Sequence, residues 1–70
     1  MIKLGELLNT FEPGTPFVVV YKNEHQYFPS IEDLDDLIYP EALNGTVQLI
    51  WYSKSLYGAI VIEVYEEVAQ

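Results

Sequence analysis

Thr46-Val47-Gln48-Leu49-Ile50-Trp51-Tyr52, a turn at Ser53-Lys54-Ser55, and then Tyr57 to about Glu66, with Ala59-Ile60-Val61-Ile62-Glu63-Val64-Tyr65 at its centre, is the stretch that decides the fold. Two long runs rich in β-branched and aromatic residues, separated by a short polar turn, read as a β-hairpin. Alternation in the last strand places Ile60, Ile62 and Val64 on one side and Ala59, Val61, Glu63 and Tyr65 on the other. In the strand before it, Val47, Leu49 and Trp51 oppose Gln48, Ile50 and Tyr52. Neither side is cleanly polar, so the sheet they belong to must be covered, or must meet something, on both faces.

Working back from this hairpin, Asn44-Gly45 suggests a left-handed turn before the strand. Ile31 to Ile38 reads as a short amphipathic helix, with Ser30 as its cap and Asp33 reaching back in a shortened capping box. At helical spacing Ile31, Leu34 and Ile38 share a face, Leu37 lies at its margin, and Glu32, Asp33 and Asp36 point away. Tyr39-Pro40 ends this helix, and Glu41-Ala42-Leu43 can add a turn. Further upstream, Phe17-Val18-Val19-Val20-Tyr21 is a strand that turns through Lys22-Asn23-Glu24 into a second strand around His25 to Phe28. Leu4, Leu7, Leu8 and Phe11 form the stripe of an opening helix that stops before Pro13-Gly14. The expected order is helix, hairpin, helix, hairpin: one α+β domain over residues 1–70, with a four-stranded mainly antiparallel sheet and two short helices. The helices either cover one sheet face, leaving a second that still carries Ile50, Tyr52, Val61 and Tyr65 as an apolar patch suited to an interface, or split between both faces. Trp51 is expected in the core, whereas Tyr52 and Tyr57, near a hairpin end, are candidates for contact with a partner.

Composition narrows the chemistry. Eleven carboxylates against three lysines and no arginine give a formal charge of −8. A surface of that sign repels nucleic acid and anionic membranes and attracts basic partners. With no cysteine and only His25, zinc has no ligand set and acyl transfer has no assignable nucleophile and base. A calcium loop begun at Asp33 would put Ile38 where the sharp turn needs glycine and Asn44 where a bidentate Glu should close the shell. Gly5, Gly14, Gly45 and Gly58 are too scattered for a phosphate loop. No enzyme activity, metal or cofactor is expected. The opening Met1 to Glu6 carries an acid inside what a secretory signal would keep apolar, so the expected location is cytoplasmic.

Three segments bear a family likeness: the Leu4-Gly5-Glu6-Leu7-Leu8 opening, Ser30-Ile31-Glu32-Asp33-Leu34 after a hairpin, and the terminal Ile60-Val61-Ile62-Glu63-Val64 strand. In these the chain resembles the small acidic proteins carried by phages and prophages of Gram-positive bacteria. Some compact acidic phage proteins inhibit host defence, anti-CRISPR proteins among them, by blocking nucleic-acid channels. The resemblance implies a non-catalytic inhibitor of a host nucleic-acid-handling complex, acting in the host cytoplasm. The resemblance transfers no functional residue; it is the charge pattern itself that names candidates, since a folded array of carboxylates can occupy a basic groove meant for DNA or RNA. Glu32, Asp33, Asp35 and Asp36 are then the charges that meet a basic protein surface, with Tyr52 and Tyr57 as further contacts. The alternative expectation is an assembly module, a homodimer or a hetero-oligomer, that pairs through an apolar sheet face or an edge strand.

Overall fold

A computed structural model describes residues 2–55 and 58–65. The chain runs through α1 (Leu4–Leu8), β1 (Phe17–Tyr21), β2 (Glu24–Phe28), two short 3-10 segments, η1 (Ile31–Asp36) and η2 (Pro40–Asn44), and then β3 (Val47–Ser53) and β4 (Ala59–Val64). The α+β class and both hairpins stand. The sheet, however, is mixed and not mainly antiparallel: its order is β2-β1-β4-β3, and the two inner strands β1 and β4 run parallel. The reason lies in composition. Phe17-Val18-Val19-Val20 and Ala59-Ile60-Val61-Ile62 are continuous apolar runs, suited to the middle of a sheet where both neighbours and both faces exclude water. Placing both inside leaves β2 and β3 as the edges.

The second predicted helix is not an α-helix. Ser30 does cap it, its hydroxyl accepting from the Glu32 N–H at 3.3 Å, but Asp33 engages Ser30 through its backbone N–H and not through its carboxylate. Three aspartates in six residues favour local turns over an α-helix interior, and Leu37 is already extended. The 3-10 pitch of three residues per turn then aligns Ile31, Leu34 and Leu37 on the inward face. Leu37 therefore joins the core while Ile38, expected inside, is 60% exposed.

Both 3-10 segments and α1 lie on one face of the sheet, where the main core forms. Leu4 and Leu8 of α1 meet Phe17, Val19, Phe28, Ile62 and Val64 there, with Leu7 and Phe11 packed at the margin as the leucine stripe predicts. Phe17 is the hub: Phe28 stacks on it at 5.0 Å and Phe11 meets its edge at 5.5 Å. Each such side chain contributes about 1.5–3 kcal/mol by leaving water. Among the described residues the other face carries no helix, yet Val18, Ala59 and Val61 are buried on it. Their register neighbours in the outer strands are Tyr27, opposite Val18, and Trp51, opposite Val61.

Two turns lock the frame. Lys22 and Asn23 both take positive φ, 53° and 63°, as a two-residue hairpin turn requires. The Lys22 ammonium lies 5.0 Å from the Tyr39 ring and 3.7 Å from the Glu41 carboxylate, tying the hairpin tip to η2. Gly45 is extended (φ −77°), not left-handed as expected; what demands glycine is proximity, since a Cβ would fall 2.5 Å from Val64 Cγ1. Among the described residues no helix is long and apolar enough to cross a membrane.

Candidate functional site

The anomaly of this molecule is β3. Strict alternation would put Val47, Leu49 and Trp51 on one side, but a bulge between Val47 and Leu49 breaks it. Val47 faces the helical layer and packs at the core margin. Beyond the bulge Ile50 and Tyr52, opposite Ile62 and Ile60, point to that same side, while Leu49 and Trp51 point to the other. Among the described residues the helices do not reach this far across their own face, and the opposite face carries none. Leu49, Ile50, Trp51 and Tyr52 are consequently 51%, 48%, 43% and 60% exposed. Trp51, expected in the core, is instead a surface residue whose indole N–H donates to the Glu63 carboxylate at 3.0 Å. Four consecutive large apolar side chains standing out on both faces of one strand form a patch of the kind that marks an interface.

Among the described residues the backbone of β3 is open as well. The Ile60 N–H donates to the Pro16 carbonyl on the β1 side, and the Tyr65 N–H donates to the Thr46 carbonyl on the β3 side. By alternation, Ile60, Ile62 and Val64 turn their peptide groups toward β1, while Val61 and Glu63 turn theirs toward β3. In an antiparallel ladder, residues opposite one another either both face inward or both face away. Ile50 and Tyr52, paired with Ile62 and Ile60, therefore direct their N–H and C=O groups out over the free edge. At the start of β3 this edge is taken: the Val47 N–H donates to the Ile2 carbonyl, the Leu4 N–H donates to the Gly45 carbonyl, and Lys3 bridges to Thr46. Downstream, Ser53 and Ser55 join hydroxyls at 2.9 Å around Lys54. The open edge runs between these two stops, from Leu49 to Ser53, and no residue within β3 is charged.

The residues singled out by sequence fall at separate places. Glu32, Asp33, Asp35 and Asp36 are gathered on η1, which packs against β2 at the opposite side of the sheet. Gln26 of β2 holds that segment: its amide donates to the Asp36 carbonyl at 2.6 Å and its oxygen accepts from the Ile38 N–H at 2.9 Å. Tyr52 stands on β3 with its hydroxyl over Gly58, whose left-handed φ of 66° and closeness to that ring both suit glycine. Tyr57 lies outside the described residues, as do Glu66 and Glu67. The four acids and Tyr52 thus do not converge on one site. Leu49 and Trp51 were missed as site residues because, in register with Val47, they read as core. Ile50 was expected with Tyr52 and Val61 on one uncovered face, but the bulge leaves Ile50 and Tyr52 on the helical side and Val61 on the other. The signal that was available was the absence of any polar face in the last hairpin.

His25 is exposed on β2, opposite Val20. Among the described residues no three acidic or histidine side chains gather around a point that could hold a metal ion. No family model, curated protein or solved structure matches this chain.

Proposed function

We propose that this protein is a non-catalytic binding module that receives an extended strand along the edge of β3. The observation that carries the reading is the coincidence, over Leu49 to Tyr52, of outward backbone groups with side chains 43–60% exposed on both faces. Strand addition uses such an edge directly: main-chain hydrogen bonds supply affinity and flanking side chains supply selectivity. The test is a random peptide library panned on the intact protein and on Ile50→Pro, which deletes an outward N–H without touching the ladder to β4. Alternating, apolar, extended sequences enriched on the wild type and lost on Ile50→Pro support the module. Equal enrichment on both refutes it.

A second reading rests on the other edge. The four carboxylates of η1 make no ion pair among the described residues, where the pair recorded is Lys22 with Glu41. Such an array suits a basic protein surface, as an inhibitor of a nucleic-acid-handling complex would need. Binding of that kind weakens steeply with salt and is abolished by charge reversal at Glu32, Asp33 and Asp36. Capture from a lysate that is unaffected by either change removes this reading.

A further inference from the structure

We infer that the strand received by β3 is the β3 of a second copy of this chain, joined antiparallel about a two-fold axis that passes midway between the two Trp51 residues, perpendicular to the sheet. The inference rests on the strand-acceptor reading above and names its occupant. Three observations lead to it.

The first is the length and centre of the free edge. Ile2 to Leu4 closes it on one side and the turn at Lys54 on the other, leaving Leu49 to Ser53, of which Trp51 is the middle residue. An antiparallel pair of two such segments is in full register only when centred there. Ile50 then faces the second copy's Tyr52, and Tyr52 faces its Ile50. These are the two residues whose N–H and C=O groups point outward, so each facing pair exchanges two hydrogen bonds. Trp51 meets Trp51 in the intervening close-spaced position. The contact is self-complementary, as a two-fold interface must be.

The second is side-chain chemistry. The register sets aromatic against β-branched residues on the helical side and indole against indole on the other, pairings that favour adjacent antiparallel strands. No charged residue of β3 is brought against another.

The third is where the charge sits. A chain of −8 should resist self-association, but its densest acids, on η1, pack against β2, three strands away from β3. In the joined sheet of eight strands the two β2 strands are about 33 Å apart, taking about 4.7 Å per strand. That is roughly four Debye lengths at physiological ionic strength, so the clusters scarcely sense each other. Lys3 and Lys54, two of the three lysines, bracket the joined edge. Glu63, the acid nearest to it on β4, is engaged by the indole of Trp51.

Sedimentation velocity on the whole chain, from about 1 µM to about 1 mM, tests the pairing over the affinity range of small interfaces. The expected result is a mass that doubles from 8.1 kDa with rising concentration. The dimer holds or tightens as salt is added, since salt screens only like charges here. Ile50→Pro is expected to remain folded by circular dichroism and monomeric throughout. Should it fail to fold, Leu49→Lys provides the same test through a side chain. Register is read by cysteine cross-linking in this cysteine-free chain. Under mild oxidation Trp51→Cys forms an intermolecular disulfide, its Cα atoms being about 4.5 Å apart in a close-spaced pair. Leu49→Cys does not, because its copy lies about 14 Å further along the strand. A wild-type chain that stays monomeric across the range, a folded Ile50→Pro that still dimerises, or cross-linking through position 49 as fast as through 51 overturns the proposal. If the monomeric chain nevertheless enriches peptides that Ile50→Pro loses, the strand acceptor stands and only the second copy falls. If it enriches none, both fall.

Discussion

The two edge strands of this sheet are built to opposite rules. β2 is short, carries Glu24 and His25, and lies beside the carboxylates of η1, which Gln26 clamps to it through two hydrogen bonds. Those are the devices by which a sheet edge discourages a stranger: few residues, charge, and an element packed alongside. β3 is longer, uncharged, and shows large apolar side chains to solvent on both faces. Alternation sets Ile50 and Tyr52 on one side and Leu49 and Trp51 on the other, so neither side is polar, and the bulge, elsewhere a device that spoils an edge, decides only that Ile50 and Tyr52 take the helical side. In one small sheet, protection at one edge and exposure at the other teach that the exposure is a property of β3 and not of a thin core.

That contrast can be broken in graded steps. Phe28→Ala strikes the protected side hardest, since Phe28 stacks on Phe17 and anchors β2 to the core. A loss of about 3–5 kcal/mol is expected in urea unfolding, comparable to the whole stability of a domain this size. Gly45→Ala acts where the chain enters β3: the new methyl would meet Val64 Cγ1 and the Ala42 carbonyl, and overpacking of this kind costs about 1–3 kcal/mol. Thermal unfolding measures it, and a neutral result would mean that η2 shifts freely over β4. Gln26→Ala removes both bonds that hold the end of η1. About 1 kcal/mol is expected, because water can replace these exposed partners, together with loss of hydrogen-exchange protection at the Ile38 amide. Leu49→Lys should leave stability within about 0.5 kcal/mol, as a half-exposed surface position does, while weakening strand capture. If it destabilises as Phe28→Ala does, β3 is core and the contrast between edges dissolves.

Much of this was legible in the residues. The leucine stripe of α1, the strand Phe17 to Tyr21, the hairpin turn at Lys22-Asn23 and the Ser30 cap all follow from interactions between near neighbours, which spacing and side-chain type express directly. The acidic face of η1 and the surface position of Tyr52 were legible on the same grounds.

What local pattern could not decide was which strand lies beside which. The parallel junction of β1 with β4, and with it the placing of β3 at an edge, pairs segments some forty residues apart; their apolar composition permits the junction but does not encode its partner. The bulge after Val47 and the 3-10 pitch that buries Leu37 and releases Ile38 are likewise settlements reached against the packed core. By itself the sequence determined the elements and their apolar character. Tertiary structure alone decided which of Leu49, Ile50, Trp51 and Tyr52 lie on which face and that Leu49 and Trp51 meet solvent, because among the described residues the helical layer stops short of Ile50 and Tyr52 and the opposite face carries no helix.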